Sequence, residues 1–341
     1  MSETVNLVLS LNTIATQLAR YLSIFILICG TIGNMLNIIV FLQRSLRSNP
    51  CSIYFLSSSV SSLFALFFGL ITRILATYQL DPTNESPALC KIRNFLMFST
   101  LTTSTWFIAL ASIDRYFISC QNVKRRQLSG LKNTYYLVGI LTVLTMLIYG
   151  EIFYCFEANL STPPSPIPCY FKNYPCRLYN DLTFVVIVVL VPGFIMLVFG
   201  YLTVLNVRKL KLLVDATSST QNDTKKMKKS DRQLIQMLLV QVVLITMLGL
   251  PIAIQRLYAT FTIYLVKTQL QLSIENFAYR LLLLFTFISM SIPFYLYLLT
   301  STLFRQTFMN LFRKYLIYRT TTTQIRVSTL NTKQNAAEET K

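Results

Sequence analysis

The sequence predicts an all-α membrane protein: a bundle of seven transmembrane helices with an extracellular N-terminus and a short amphipathic eighth helix. Of its 341 residues, 53% are apolar and only 13% are charged, whereas about 25% charged is usual for a soluble globular domain. Apolar runs of about 20 residues recur along the chain, the length that a helix needs to cross a bilayer core of about 30 Å. The composition therefore argues against a water-soluble enzyme.

Residue counts exclude most of the common catalytic and metal sites. The chain has no histidine, which rules out Ser-His-Asp and Cys-His catalysis, histidine-bound zinc and a haem with a proximal histidine. Its seven cysteines contain no Cys-x-x-Cys pair, which rules out zinc ribbons and thioredoxin-type chemistry. We expect neither enzyme activity nor a cofactor or metal ion.

The spans follow from the apolar runs. They are predicted at roughly Tyr21–Leu42, Ile53–Tyr78, Phe95–Cys120, Tyr135–Phe156, Leu182–Leu205, Leu234–Ile254 and Phe277–Leu298. Hydroxyl side chains interrupt the third span between Thr100 and Thr105, where they can bond to carbonyls of their own helix. We expect residues 1–20 to be an extracellular segment, 21–300 the membrane domain, 301–318 a membrane-surface helix and 319–341 a disordered cytoplasmic tail.

The distribution of lysine and arginine sets the orientation. With the N-terminus outside, 22 of the 31 basic residues fall on the cytoplasmic side, where basic loops remain. The first residues lack the basic region of a signal peptide, so we expect the first apolar run to be a span of a multi-pass plasma-membrane protein. The net charge of +18 then attracts anionic membrane lipids and does not indicate nucleic-acid binding.

Two features of the third span carry a family resemblance. Asp114-Arg115-Tyr116 lies at its cytoplasmic end, and Cys90 lies near its outer end. In this span and at this spacing, the two features resemble the rhodopsin-like (class A) family of G-protein-coupled receptors. In that family a disulfide holds the top of the third helix and the Asp-Arg-Tyr motif closes its base.

Further motifs match the same family along most of the chain. They are Gly33-Asn34 in the first span, Pro192 in the fifth, Asp231 at the base of the sixth, Pro251 within it, and Pro293 with Tyr297 in the seventh. Many positions depart from the family pattern. Among them, Ser62 replaces the usual acid of the second span, Gly249 replaces the tryptophan before Pro251, and Ile292 replaces the asparagine before Pro293. The resemblance therefore implies a divergent branch, similar to neuropeptide receptors.

The resemblance implies a cytoplasmic switch formed by Asp114, Arg115, Tyr116, Asp231 and Tyr297. An ionised arginine at a membrane boundary is costly unless it is paired, and its candidate partners are the two aspartates. Pairing Arg115 with Asp231 ties spans three and six together, until a ligand favours an open state that admits a helix of a heterotrimeric G protein. The alternative is that Arg115 reaches lipid phosphate and Asp231 caps a helix.

Three prolines are the expected hinges of this switch. Pro192, Pro251 and Pro293 each remove a backbone hydrogen bond inside a span and permit a kink. Plain structural tolerance of proline in a membrane helix is the alternative.

The outer cysteines and two sequons indicate an oxidising, extracellular face. Cys90 needs a partner, and the family spacing favours Cys169 over Cys176. The cysteine left over pairs with Cys155 or stays free. The triplets that begin at Asn84 and Asn159 match the glycosylation sequon in predicted outer loops.

Charged residues near the outer ends suggest the ligand class. Met97 occupies the position where amine receptors carry an aspartate, and the seventh span has no lysine for a retinal Schiff base. The expected pocket combines both signs of charge, which suits a neuropeptide, and its members are Arg73, Met97, Arg256, Glu275 and Arg280. The alternatives are interfacial snorkelling of these side chains, a chemosensory receptor for small molecules, and a seven-span transporter.

The segment after the seventh span is predicted to lie on the membrane. Phe304, Phe308 and Phe312 recur every fourth residue with basic residues between them, as in an interfacial amphipathic helix. Hydroxyl residues beyond it are candidate phosphorylation sites that recruit an arrestin-type partner, and a simple disordered tail is the alternative.

Overall fold

The computed structural model describes residues 2–120, 122–158, 169–215, 222–302, 304–311 and 313. Seven of the described helices are long and apolar enough to cross a membrane, which confirms the predicted seven-helix membrane bundle. The long helices are Ser2–Phe41, Pro50–Thr77, Pro87–Ser119, Leu131–Ile148, Val191–Asp215, Asn222–Phe261 and Gln269–Ser291. The shorter helices are Arg44–Arg47, Val123–Gln127, Ile152–Cys155, Tyr174–Thr183 and Pro293–Thr300, with 3₁₀ turns at Pro82–Asn84 and Tyr149–Glu151.

Polar caps followed by proline begin several of these helices. The Asn49 side chain accepts a hydrogen bond from the Cys51 amide at 3.0 Å, and Pro50 is the first helical residue of span two. Ser86 and Pro87 begin span three in the same way. An N-cap oxygen satisfies a free amide, and proline fits the first turn because it has no amide to satisfy. These short motifs therefore set where the spans start.

Span three lies at the centre of the bundle. Its most apolar stretch is 72% buried, against 17% for span four. The hydroxyls predicted to bond to their own helix do so, as Thr103 does with the Ser99 carbonyl, and they also join neighbouring spans. Thr103 meets Thr145 of span four at 2.7 Å, and Ser104 meets Ser62 of span two at the same distance.

Spans five and seven are irregular near their prolines. Span five consists of Tyr174–Thr183, a π-helical turn at Phe184–Leu190, and Val191–Asp215. The Trp106 indole N–H of span three donates to the Ile187 carbonyl inside this turn at 2.8 Å. Span seven ends at Ser291 and resumes as Pro293–Thr300, whereas Pro251 lies within a helix that continues on both sides.

A two-stranded hairpin and two disulfides occupy one end of the bundle. Strand Phe156–Ala158 pairs antiparallel with strand Cys169–Phe171. One disulfide joins Cys90 to Cys169, and the other joins Cys155 to Cys176. We call this end the disulfide end and the opposite end, where span three finishes, the Asp-Arg-Tyr end.

The segment after span seven returns to the bundle. Residues 304–311 are helical, and the buried Phe304 ring contacts Phe41, Phe294 and Tyr297. Of the predicted surface helix, residues 303, 312 and 314–318 lie outside the described residues, as do the predicted tail and the sequon at Asn159.

Candidate functional site

Arg115 is buried among polar groups at the Asp-Arg-Tyr end. No part of its side chain is exposed. Its Nη2 atom donates to Asn49 Oδ1 of span two at 2.6 Å and to Asp114 Oδ2 at 3.1 Å. Asp114 also accepts a hydrogen bond from Ser129, in the connection to span four. The guanidinium therefore links the base of span three to the start of span two.

Two tyrosines complete this end of the bundle. Tyr297 is buried and donates from its hydroxyl to Gln241 Oε1 of span six at 2.5 Å. The Tyr116 hydroxyl accepts a hydrogen bond from Arg125 at 3.2 Å, and its ring packs edge-on against Phe199 of span five. Tyr297 therefore joins span seven to span six, and Tyr116 joins span three to span five.

Asp231 belongs to the helix Asn222–Phe261, but its side chain lies outside the described residues. The predicted ion pair between Arg115 and Asp231 therefore stays a prediction. The contacts of Arg115 that are described run to span two and to its own neighbour Asp114.

A second polar cluster, at the disulfide end, joins spans four, five and six. Asp181 of span five binds Arg256 Nε at 2.7 Å and lies 3.7 Å from Arg177 Nε. Arg256 also donates to Asn180 at 3.2 Å, and Asn180 donates to Glu151 of span four at 3.3 Å. The Arg256 guanidinium lies over the Phe184 and Phe98 rings. A buried arginine paired and stacked in this way is stabilised on every side.

The remaining predicted pocket residues occupy the same end but have different partners. Glu275 pairs with Lys267 at 2.6 Å and accepts from the Tyr258 hydroxyl at 3.1 Å. Met97 is buried in the apolar core. Arg280 is exposed and donates to Thr16 at 3.0 Å, and Arg73 has a buried Nε without a hydrogen-bond partner. Glu275, the acid of the predicted pocket, and the neighbouring Asp181 are therefore already bound to basic side chains.

The hairpin covers part of this end. Tyr170 lies in its second strand, and the Arg177 guanidinium is 5.7 Å from the centre of its ring. Burial raises the pKa of Tyr170 to about 12. The phenol therefore stays protonated at physiological pH and keeps a hydroxyl that can donate.

A small cavity lies between spans three, five, six and seven beside Gly249. Its volume is about 30 Å³, and Leu101, Val189 and Met290 are among its lining residues. Thr286 also lines it, with a hydroxyl that has no hydrogen-bond partner in the described structure. The space is the size of one water molecule, and its lining is mostly apolar apart from the hydroxyl side chains of Thr105, Thr246, Thr286 and Ser289.

Comparison with known proteins identifies the family. Residues 33–295 match the family described as 7 transmembrane receptor (rhodopsin family). The chain belongs to this rhodopsin family. The resemblance drawn from the span-three motifs is thus confirmed, and this rhodopsin-family chain is a multi-pass membrane receptor rather than an enzyme.

Individual relatives of this rhodopsin-family receptor are distant. It is 29% identical to melatonin receptor type 1B-B of Danio rerio over 164 residues, which cover 48% of this chain and 46% of that protein. It is 29% identical to galanin receptor type 2 of Rattus norvegicus over 37% of this chain and 33% of that protein. It is 26% identical to neuromedin U receptor homolog nmur-2 of Caenorhabditis elegans over 48% of this chain and 40% of that protein. The chain spans less than half the length of these curated relatives.

Sequence patterns alone did not find several residues of these clusters. Asn49 carries a visible helix-start signal, but nothing in the sequence links it to Arg115. Gln241 and Asn180 are neutral side chains inside apolar or mixed stretches and carry no motif. Arg256 was recognised as a charge of the predicted pocket, but its pairing with Asp181 depends on how spans five and six pack.

Proposed function

We propose that this rhodopsin-family protein is a plasma-membrane receptor, with its N-terminus outside, that couples an extracellular peptide to a heterotrimeric G protein. The observation that carries the proposal is the Arg115 guanidinium, which is buried at the Asp-Arg-Tyr end and bound to neighbouring polar groups. A charge held inside a helix bundle by a few exchangeable hydrogen bonds is suited to a two-state switch.

In the proposed resting state, Arg115 binds Asp114, Asn49 and also Asp231, so that spans two, three and six are tied at their cytoplasmic ends. Ligand binding at the disulfide end favours a state in which span six moves away. Pro251 and Pro293 act as the hinges, and Pro192 is the corresponding hinge of span five. The opened cleft binds a G-protein helix in its groove.

A peptide ligand is supported by two observations. Two of the relatives carry names of receptors for galanin and neuromedin U. The disulfide end also carries Arg73, Arg256, Arg280, Glu275 and the buried Met97, and aromatic rings lie against Arg73 and Arg256. A small molecule is the second candidate ligand, because another relative is named a melatonin receptor.

Other parts of the proposal concern the surroundings of the receptor. Asn84 is partly exposed at the disulfide end and is the proposed glycosylation site, together with Asn159. The helical segment that begins at Phe304 is proposed to lie on the inner membrane leaflet and to contact its lipids. Phosphorylated hydroxyls of the tail are proposed to recruit arrestin.

The test is nucleotide exchange on G proteins in membranes that contain the full chain, with a peptide library as the source of ligands. We expect Asp231→Ala to raise basal exchange about fivefold, since removing about 1 kcal/mol of bias changes a two-state ratio by that factor. Asp223→Ala, an acid near the start of the same helix, should leave basal exchange unchanged. An unchanged basal rate in Asp231→Ala would refute the switch, and silence to peptides with a response to small molecules would refute the peptide ligand.

A further inference from the structure

We propose that Arg73, Arg93 and Arg280 form a binding site for a carboxylate group of the ligand. The three arginines lie on spans two, three and seven at the disulfide end. The inference rests on the proposed function only in treating the bound carboxylate as part of an activating ligand. We call the three residues the arginine site.

The basic residues around this end divide into paired and unpaired groups. Lys91, Arg177, Arg256 and Lys267 each lie within ion-pair distance of an acid. Within the described part of the chain, no acid lies at that distance from Arg73, Arg93 or Arg280. The arginine site therefore carries positive charge that the protein itself does not neutralise.

The sequence around Arg73 lets its guanidinium lie over the aromatic ring of Phe287. Gly69 lies one helical turn before it, and a Cβ atom at Gly69 would overlap the Phe287 ring of span seven. The missing side chain lets this ring approach span two, so that the Arg73 guanidinium lies 5.9 Å from the ring centre. Its buried Nε has no hydrogen-bond partner among the described residues.

The other two arginines have neutral partners only. Arg93 donates to the Phe68 carbonyl of span two at 3.1 Å and to the Asn94 side chain at 3.2 Å, and Arg280 donates to the Thr16 hydroxyl. Arg93 reaches span two through the Phe68 carbonyl, and Arg73 lies over the Phe287 ring of span seven, the span that also carries Arg280. The three like charges therefore share one end of spans two, three and seven. Asp81 attracts Arg93 only from a greater distance, and its carboxylate caps the turn at Thr83.

Charge and geometry together select a carboxylate. A guanidinium stays protonated at any physiological pH and binds planar carboxylates through two parallel hydrogen bonds. Burying such a charge without a counter-ion is costly, so an anion that enters from the exposed Arg280 side toward Arg73 gains both attraction and relief of repulsion. Tyr279 of span seven, also close to Arg73, adds a hydroxyl and an aromatic face beside the bound group.

A peptide supplies a carboxylate from its C-terminus or from an acidic side chain, and the two sources share this chemistry. The first test uses N-acetylphenylalanine and its neutral amide with the purified full chain in neutral detergent. We expect the acid to raise the melting temperature and to bind at least about tenfold more tightly than the amide, the factor expected for one charge-assisted hydrogen bond. Equal shifts with both probes, or the same shift with sodium phosphate alone, would overturn the carboxylate site.

Single-residue variants test whether the arginine site causes the preference for the acid over the amide. Arg73→Gln and the exposed Arg280→Gln should each remove most of the preference for the acid, and the second variant keeps the test valid if the first does not fold. Arg20→Gln is the matched control, because Arg20 lies at the same end but is satisfied by the Thr77 carbonyl and hydroxyl and by the Tyr78 ring. If Arg20→Gln reduced the preference for the acid by the same factor, only the net charge of this end would matter, and the arginine site would be overturned.

A second experiment separates this inference from the proposed function. Each library peptide is applied to cells as the free acid, as the C-terminal amide, and with its acidic side chains replaced by amides. Activation that requires one of the two carboxylates and fails in Arg73→Gln supports the inference. Activation without either requirement overturns the arginine site but leaves the peptide receptor standing. Binding of the acid probe through Arg73, with no peptide active in any form, leaves the site standing and refutes the peptide receptor.

Discussion

The side-chain oxygen of Asn49 serves two elements at once. It accepts from the Cys51 amide at 3.0 Å and from Arg115 Nη2 at 2.6 Å, which uses both lone pairs of an amide carbonyl. The first bond caps span two, and the second is a short, charge-assisted bond to a buried guanidinium. One residue therefore sets both the start of span two and the position of Arg115.

Replacing Asn49 with alanine tests this double function. We expect Asn49→Ala to lower stability by about 2 kcal/mol or more, about 1 for the lost cap and the rest for the lost acceptor of Arg115. Asn49→Asp should retain the cap and bind Arg115 more tightly. Thermal unfolding of the detergent-solubilised receptor measures the first effect, and basal nucleotide exchange should rise in the alanine variant and fall in the aspartate variant.

Asn122→Ala is the control for this comparison. Asn122 caps the exposed helix Val123–Gln127 by accepting from the Lys124 amide at 2.9 Å, and none of the arginines that the structure describes binds its side chain. Its loss should cost about 1 kcal/mol or less and leave basal exchange unchanged. Equal effects in both asparagine variants would show that Asn49 acts only as a cap.

At the scale of residues, the sequence identified linear motifs and missed their partners. Asp114, Arg115 and Tyr116 are consecutive, so a short pattern sufficed to find them. Asn49 meets Arg115 from another span, and an Asn-Pro pair predicts only that a helix begins there. Contacts of this kind depend on the packing of spans two and three, which a single sequence without its fold does not define.

At the scale of elements, the two disulfides fasten the hairpin to three spans. Cys90–Cys169 joins the start of span three to the second strand, and Cys155–Cys176 joins the end of span four to the start of span five. The first bridge closes a separation of 79 residues and the second one of 21. In a chain-entropy model, the longer closure removes more freedom from the unfolded state.

Removing each disulfide separately should therefore lower the free energy of unfolding by different amounts. We expect Cys155→Ser with Cys176→Ser to cost about 3 kcal/mol, and Cys90→Ser with Cys169→Ser to cost about 4.5 kcal/mol. Replacing both cysteines of a pair leaves no single thiol to form a new bridge. Melting temperatures of the two double variants in one detergent provide the measurement, and a larger loss for the Cys155–Cys176 pair would contradict the entropic account.

Apolar runs predicted the spans well but not their irregular parts. A run of about 20 apolar residues marks the membrane-crossing part of a helix, whereas the helix itself continues into polar sequence, as at Ser2 and Asn222. The three-residue strands of the hairpin are too short for an alternating pattern to be recognised. The π-helical turn before Pro192 accepts a hydrogen bond from Trp106 at the Ile187 carbonyl, a contact between spans that again comes from packing.

At the scale of the whole molecule, the two ends of the bundle are tied differently. The disulfide end has two covalent bridges and the buried pair of Asp181 with Arg256. The Asp-Arg-Tyr end is joined by hydrogen bonds, and those that cross between spans include Arg115–Asn49, Tyr297–Gln241 and Asn206–Ser119. Since hydrogen bonds exchange more readily than bridges break, we expect the larger movements of the spans at the Asp-Arg-Tyr end.

At the disulfide end, the buried ion pair between Asp181 and Arg256 joins spans five and six. Both side chains are at most 9% exposed, so Asp181→Asn leaves an arginine charge buried without its counter-ion. We expect Asp181→Asn to lower the free energy of unfolding by about 3 kcal/mol or more. Glu275→Gln breaks a pair nearer the surface, with the acid 19% exposed, and should cost about 1 kcal/mol.

Thermal unfolding is measured first for the two single variants, Asp181→Asn and Glu275→Gln, and then for a double-mutant cycle of Asp181→Asn with Arg256→Gln. The cycle separates the energy of the ion pair from the cost of burying each charge. The double variant should recover part of the loss, because removing both charges costs less than leaving one unpaired. If Asp181→Asn proved no more damaging than Glu275→Gln, spans five and six would not depend on this pair. The covalent bridges alone would then account for the rigidity of the disulfide end.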